Sequence, residues 1–299
     1  MNDEYFKKIK VFLDFLQKEK NYSNNTIIAY KTDILEFFSF LKEQKVLFEN
    51  IDIKIVRKFL DILYKRNTKP SSISRKISSL KSFVKFLINH KFLPQEKNPF
   101  LYIRNPKKPK TIPVFLSIDE MFDLLNSPKS ENILGIRDRA IFEVLYSTGI
   151  RVSELIAIKI EDIDLFAEAI KVKGKGNKER IIPIGNDSLR FVKKYIDLTK
   201  KTYFLSDEDF LFRNKKGDHI NVRSISRIVN NYMKVLAIKK HISPHKIRHT
   251  FASHLINAGC DIRTIQELLG HKNLSTTQIY SHLEIQKLKK DFFSAHPHS

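Results

Sequence analysis

Five prolines fall between residues 94 and 113 and interrupt any regular element that could cross this segment. Proline fixes φ and lacks a backbone N–H, so neither a helix nor a central strand continues through such a run. Lys107, Lys108 and Lys110 stand among the last of these prolines and make the segment basic as well as stiff. We therefore predict two domains, residues 1–104 and 113–299, joined by a linker at 105–112.

Four stretches of the N-terminal domain carry apolar side chains at helical spacing. Their buried stripes begin at Ile9, Ile27, Val56 and Ile73. Start signals precede three of them: the polar cluster 23–25, Asp52 as an N-cap, and Pro70 at a first helical position. The opposite faces are rich in lysine and arginine, which favours contact with a nucleic acid. We predict a four-helix domain.

The second domain reads as mostly helical with one small antiparallel sheet. Ser117 begins a helix by its cap signals, periodicity from 137 to 146 stops at Gly149, and Arg151 begins a short helix. Residues 168–184 change to alternation around a Gly-Lys-Gly-Asn tip, which predicts a β-hairpin. Further helices are predicted at 187–199, 222–237, 246–258, 262–269 and 276–288. The predicted fold class is mainly α.

Charge points to a polyanionic partner. The 54 basic and 33 acidic residues give a net charge of +21. Residues 1–112 hold 24 basic and 11 acidic residues, and residues 113–299 hold 30 and 22, so both halves are basic. A nucleic acid held between the two domains fits this distribution better than a basic tail on a neutral enzyme. A merely solvated, soluble surface is the alternative.

Several classes of protein are excluded or disfavoured. Cys260 is the one cysteine, so no intrachain disulfide or cysteine-based metal cluster can form. The N-terminus lacks the apolar core of a signal peptide, and no apolar run reaches the ~18 residues that would span a bilayer. We expect a soluble, cytoplasmic protein. The segment GKGNKER at 174–180 lacks the spacing of a nucleotide-binding loop, so no ATP is implied.

The stretch from 243 to 280 concentrates groups that act on phosphates. A serine and a proline at 243–244 start a helix, and His245 and Arg248 lie in its first turns. Backbone N–H groups, a histidine and a cation at a helix start favour an anion. The same stretch adds a second imidazole and a phenol, at His271 and Tyr280. Phosphoryl transfer would use all of these groups.

Other interpretations of these residues compete with that one. His245 and His249 lie four apart and could share a metal-binding helix face, but Arg248 stands between them and no cysteine pair is available. A lone tyrosine is most often a core residue. Polar neighbours of Tyr280 on its predicted helix weaken that interpretation: Thr276, Thr277 and Glu284.

Residues 113–299 closely resemble the catalytic domain of the tyrosine recombinases of the phage integrase family. Four motifs carry the resemblance in the family's order: TGIRVSEL at 148–155, GKGNKER at 174–180, SPHKIRHTFASHL at 243–255 and LLGHKNLSTTQIYSH at 268–282. Residues 1–112 resemble the SAM-like core-binding domain and linker of the XerC/XerD-like subgroup. The ending AHPHS departs from the HPR-type ending usual there.

The resemblance implies metal-independent DNA strand exchange through a 3′-phosphotyrosine intermediate, with no cofactor. It makes Tyr280 the nucleophile, which fits a phenol placed in a strong positive field. Arg151 and Arg248 would bind the non-bridging phosphate oxygens, a task suited to a planar, bidentate and permanently charged guanidinium. His245 and His271 would bond the phosphate oxygens, and His245 would also assist proton transfer.

Lys175 is the general acid that the resemblance implies for the leaving 5′-oxygen. The residues alone do not separate it from Lys173 or Lys178; the match to the family's motif does. Arg75 and Arg223 resemble positions that contact the DNA backbone in relatives. The last nineteen residues still carry Leu288, Phe292 and Phe293. The resemblance places this tail in a neighbouring protomer, and packing on its own domain is the alternative.

The biological expectation is a homo- or hetero-tetramer on two recombination sites, working through a Holliday junction. By resemblance its role is to resolve chromosome dimers, with a related recombinase and a DNA translocase of the FtsK type as partners. An integrase of a mobile element would use the same residues on another site. A non-catalytic sequence-specific DNA-binding protein would explain the charge but not the set of six site residues.

Overall fold

The computed structural model describes residues 3–106, 115–174, 179–238, 240, 242–270 and 291–298. The chain divides into two units, Met1–Thr111 and Ile112–Ser299. The predicted linker at 105–112 falls largely on residues outside the described ranges, so the predicted domain bounds stay a prediction. Each unit is described by itself below.

The four apolar stripes of the N-terminal half form four helices, as predicted. They are α1 (Asp3–Lys18), α2 (Asn24–Glu43), α3 (Ile53–Lys65) and α4 (Pro70–Asn89). The cap signals operate as expected, since the Asp52 carboxylate accepts the Ile55 N–H at 2.9 Å and the Ser23 hydroxyl accepts the Thr26 N–H at 3.4 Å. Pro70 occupies the first turn of α4.

Phenylalanine fills the core of this unit. Phe37, on α2, meets Phe59, on α3, with ring centroids 5.0 Å apart, and Phe12, on α1, meets Phe83, on α4, at 5.3 Å. All four rings are buried, and tilted or edge-on aromatic contacts of this kind add to the burial of apolar area. The aromatic residues thus join all four helices around one core.

In its described part the second unit contains seven α-helices with defined bounds, a further helical stretch at 291–295, a 3₁₀ helix at Ile160–Asp162 and a three-stranded sheet. The helices are α5 (Ile118–Asn126), α6 (Ile133–Thr148), α7 (Val152–Leu155), α8 (Asn186–Tyr203), α9 (Val222–Val235), α10 (Pro244–Asn257) and α11 (Ile262–Leu269). The sheet is antiparallel with the order β1 (Ile163–Asp164), β2 (Ala169–Lys173) and β3 (Glu179–Pro183). The predicted hairpin is β2–β3, with Ile170 opposite Ile182. β1 was not predicted, because two residues show no alternation.

Helix α6 is the centre of this unit. Every residue from Gly135 to Thr148 is buried, and α6 contacts α5, α8 and α10. A helix enclosed on all sides must satisfy its charged side chains internally. Glu143 does so by accepting hydrogen bonds from Arg139 at 2.6 Å and from the Ser188 hydroxyl at 2.7 Å.

Residues 291–298 pack on their own unit. Phe292 is fully buried in its core, the His296 ring nitrogen Nε2 lies 3.2 Å from the Tyr146 carbonyl oxygen, and His298 Nε2 lies 2.8 Å from the Glu143 carboxylate. The single chain therefore adopts the alternative named above, in which the tail packs on its own domain instead of on a neighbouring protomer. Insertion stays a prediction for the assembled protein. Among the described helices, none has the length and apolar content to cross a membrane.

Docking of this terminal segment is expected to weaken at acidic pH. Burial lowers the pKa of His296 to about 3, with the charges of His298 and His254 acting in the same direction and the bond to Tyr146 opposing them. The undocked ring titrates near its ordinary value of ~6.5. Neutral His296 therefore favours docking, and this stabilisation falls as pH drops below about 6.5. Between pH 7.5 and 5.5 we expect the docking equilibrium to weaken about tenfold.

Hydrogen exchange measures this effect at the His296 amide, which donates to the Phe292 carbonyl oxygen at 2.8 Å. Protection factors at each pH are referenced to the intrinsic exchange rate at that pH. The Glu143 carboxyl does not account for a change in this window: burial raises its pKa, but His298, Arg139 and Ser188 together bring it below its usual range. In His296→Gln the protection should no longer fall between pH 7.5 and 5.5, because protonation of His298 would add to its pairing with Glu143 rather than oppose it. Equal dependence in both proteins would contradict the assignment to His296.

Candidate active site

Arg151 sits at a sharp corner between two helices. Helix α6 ends at Gly149, which adopts the left-handed conformation with φ 60°, and Arg151 is the N-cap residue of α7. Its side chain is exposed, while its backbone N–H and its Nη1 both donate to the buried Glu154 carboxylate, each at 2.9 Å. The corner and the carboxylate together fix the direction in which the guanidinium points.

Arg248 is buried on α10 and is held by two backbone carbonyl groups. Its Nη1 donates to the Gly149 oxygen at 2.8 Å and its Nη2 to the Leu269 oxygen at 2.7 Å. These oxygens belong to the C-terminal ends of α6 and α11, where helix carbonyls lack intrahelical donors and the helix dipole favours a cation. Burial, and secondly the charge of Arg151, lower the pKa of Arg248 to about 10, so it remains protonated at neutral pH.

His245 lies one turn before Arg248 on the exposed side of α10. Burial lowers the pKa of its ring, and the neighbouring His249, Arg248 and Arg151 lower it further. The imidazole is therefore mainly neutral at pH 7 and can accept as well as donate a proton. Ser243 is the N-cap residue of α10 as predicted, but its hydroxyl makes no cap hydrogen bond.

Arg151, His245 and Arg248 form one cationic cluster. The charge of Arg151 acts on both other groups, although the Gly149–Arg248 hydrogen bond that brings them together spans 99 residues of sequence. Glu154 offsets part of this positive charge, and the exposed guanidinium of Arg151 with the imidazole of His245 still favours a phosphate-sized anion. The described residues contain no set of three or more His, Cys, Asp or Glu that could hold a metal ion.

The sequence did not predict two residues of this site, Glu154 and Arg180. Glu154 accepts from Arg151 and from both terminal nitrogens of Arg180, at 3.2 and 2.9 Å. Burial alone would raise the pKa of Glu154, but the bonds and charges of Arg180 and Arg151 bring it below its usual range. Arg151 and Glu154 have capping-box spacing. That spacing could have identified Glu154; the signal was hidden because arginine is not a usual N-cap residue.

The other predicted site residues have different outcomes. Lys175, His271 and Tyr280 lie outside the described residues, as do Lys178 and the predicted helix 276–288. Arg75, on α4, donates from Nη1 to the buried Asp33 carboxylate at 2.6 Å and to the Ala29 carbonyl oxygen at 3.2 Å. Arg223 is exposed in the first turn of α9. Their DNA contacts stay predictions.

Comparison with known proteins covers both units. Residues 114–287 match the model of the phage integrase family, and residues 9–91 match the SAM-like N-terminal domain of phage integrases. The chain is 42% identical over 291 residues to a tyrosine recombinase XerC of Staphylococcus epidermidis, covering 96% of each chain. It is 41% identical over 293 residues to a tyrosine recombinase XerC of Bacillus subtilis, covering 97% of this chain and 96% of that one.

Structural similarity supports the same fold. The crystal structure of the XerH site-specific recombinase bound to its palindromic difH substrate, in a post-cleavage complex, matches with a TM-score of 0.69 at 22% identity, covering 93% of this chain and 82% of that one. The mainly α fold with a small antiparallel sheet is thus confirmed. The family match spans more than half of the chain and the relatives span nearly all of it. The chain therefore belongs to the phage integrase family and is a site-specific tyrosine recombinase.

Proposed function

We propose that this chain cleaves and rejoins duplex DNA with the six residues Arg151, Lys175, His245, Arg248, His271 and Tyr280. The observation that carries the proposal is the cationic cluster of Arg151, His245 and Arg248, built from segments far apart in sequence. A DNA phosphodiester is the anion that a tyrosine recombinase must bind at such a cluster. The motif order of the remaining three residues supports their inclusion.

The two arginines proposed to bind the phosphate differ in how firmly they are held. Arg248 uses two of its five N–H donors on the Gly149 and Leu269 carbonyl oxygens, and its other donors have no partner among the described residues. Its plane is therefore fixed before DNA binds. Arg151 is more exposed and oriented by Glu154. Fixed donors of this kind stabilise negative charge that builds up on phosphate oxygens in the transition state.

Protons move in two directions during cleavage. The Tyr280 oxygen forms a bond to phosphorus and loses its proton, for which the neutral His245 ring is the proposed acceptor. The bond from phosphorus to the 5′-oxygen breaks, and that oxygen takes a proton from Lys175. His271 donates a hydrogen bond to a phosphate oxygen. Reversal with another strand's 5′-hydroxyl rejoins DNA with no external energy source.

Membership of the family and similarity to the XerC relatives support a wider proposal. We infer a basic N-terminal domain at 1–104 and a catalytic domain at 113–299 that bind duplex DNA, a tetramer on two sites, and resolution of chromosome dimers in the cytoplasm. A related recombinase and a translocase of the FtsK type are the proposed partners. Recombination between two sites on one plasmid, measured with and without that translocase, shows whether the reaction depends on the translocase.

Covalent capture tests the catalytic proposal. The binding site is first selected from genomic DNA by affinity enrichment and then nicked near the cleavage position, so that religation cannot occur. Wild-type protein should give a labelled, SDS-resistant protein–DNA species, Tyr280→Phe should give none, and Tyr203→Phe, a matched change in the same domain, should behave as wild type.

Each other outcome has a defined meaning. Capture by Tyr280→Phe would refute the nucleophile. Absence of capture by wild-type protein on DNA that it binds, with and without the related recombinase, would contradict the catalytic proposal and favour a pure DNA-binding role; capture only with that recombinase would identify it as the activating partner. Salt-dependent affinity alone would decide nothing, because any phosphate-binding protein shows it.

A further inference from the structure

Arg180 connects three separate segments of the catalytic domain. Its strand, β3, follows the segment that contains Lys175 in the sequence, and the side chain is 10% exposed. Two terminal nitrogens donate to Glu154, and Nε donates to the Leu268 carbonyl oxygen at 3.2 Å. All three kinds of guanidinium nitrogen are thus engaged in the interior, which leaves this arginine poorly placed to contact DNA itself.

The contacts of Arg180 complete a closed ring made of hydrogen bonds and two short stretches of backbone. From the corner at Gly149 and Arg151 the ring passes to Glu154, to Arg180 and to the end of α11. There the neighbouring carbonyl oxygens of Leu268 and Leu269 accept from Arg180 and Arg248. Arg248 returns to Gly149 and closes the ring. Most of its links involve a charged partner, and such links are stronger and more directional than neutral ones.

The ring contains, or lies close in sequence to, four of the proposed catalytic residues: Arg151, His245, Arg248 and His271. Arg151 and Arg248 are members, His245 is one turn from Arg248, and α11 ends immediately before Gly270 and His271. The fit at the end of α11 is close: a Cβ on Gly270 would lie 3.1 Å from the central guanidinium carbon of Arg180. The position of α11's end therefore depends directly on the position of this side chain.

We propose that Arg180 is a positioning residue for strand cleavage, holding Arg151 through Glu154 and fixing the end of α11 relative to the hairpin. Lysine cannot replace it, because one ammonium group cannot present the planar set of donors that reaches both Glu154 and Leu268. Arg180→Lys should therefore keep a positive charge near Glu154 but lose the geometry. A displacement of about 1 Å at a reacting group lowers rates by about a hundredfold.

Arg137→Lys is the matched control. Arg137 is similarly buried, bonds the Asp138 carboxylate and donates to a backbone carbonyl oxygen, that of Arg213, at 3.1 Å. It is not part of the ring. Both variants should lose similar thermal stability. Only Arg180→Lys should slow covalent capture about a hundredfold at saturating DNA, with nearly unchanged DNA affinity. If both variants lose rate in proportion to the fraction unfolded, Arg180 has only a structural role.

The proposal rests on the proposed function, and a second measurement separates their failures. Hydrogen exchange without DNA should show faster exchange at the end of α11 and in β2–β3 of Arg180→Lys, with α5 and α8 unchanged. If wild-type protein captures no DNA, the catalytic proposal fails while the exchange result still decides whether Arg180 fixes these segments. Unchanged exchange at α11 and β2–β3 would overturn the inference.

Discussion

Replacing Arg248 by lysine is expected to slow covalent capture of DNA about a thousandfold while changing DNA affinity little. The guanidinium is fixed on the Gly149 and Leu269 carbonyl oxygens, and its remaining N–H groups are the proposed donors to the phosphate. Lysine retains the charge but cannot bond two divergent carbonyl groups and the phosphate at once. Loss of one such donor group typically costs a factor of about 10²–10³ in rate.

Stability should fall in the same variant. A buried carbonyl oxygen that loses its donor costs about 1–3 kcal/mol. Capture must therefore be measured well below the melting temperature, with single-turnover kinetics on saturating nicked DNA. Arg190→Lys is the control, since Arg190 is exposed on α8, where it forms a surface pair with Asp187 at 3.4 Å and lies 5.3 Å from the centre of the Phe191 ring. A rate within about threefold of wild type in Arg248→Lys would remove Arg248 from the proposed catalytic set.

Local sequence signals predicted most of the elements, because the groups that terminate helices act over three or four residues. Asp52 and Ser117 accept the backbone N–H groups expected of N-caps, and Ser117 also exchanges a capping box with Glu120. Alternation within residues 168–184 likewise predicted β2 and β3. Strand β1 failed this approach because its two residues are ordered by pairing with β2 rather than by any pattern of their own.

The residues of the site likewise divide into those that a sequence motif predicts and those that only tertiary contacts reveal. Family motifs selected Arg151, His245 and Arg248, and the structure brings them together. They could not select Arg180, since nothing local to β3 indicates that its side chain meets Glu154 and Leu268, respectively 26 and 88 residues away. Burial of a charge is a tertiary property, and only its partners explain why it is tolerated. Positioning residues are thus harder to predict than residues that touch the substrate.

The Gly149→Ala change should destabilise the catalytic domain by about 3 kcal/mol, lowering its melting temperature by roughly 6–12 °C. Gly149 has φ 60°, a conformation that costs other residues roughly 1–2 kcal/mol. An added Cβ would also lie 2.3 Å from Cδ1 of the fully buried Phe251 ring. Overpacking of this kind adds about 1–3 kcal/mol.

Gly259→Ala separates the two causes. Gly259 has φ 82°, but a Cβ there would meet nothing within 4 Å, so this variant carries backbone strain without a clash. Calorimetry should therefore show a loss of only about 1 kcal/mol for Gly259→Ala. Equal losses in the two variants would mean that Phe251 moves aside at no cost. The Gly149 carbonyl oxygen also accepts a hydrogen bond from Arg248. A larger loss of stability in Gly149→Ala would therefore show that the packing of Phe251 against Gly149 stabilises the backbone that holds Arg248 in the cationic cluster.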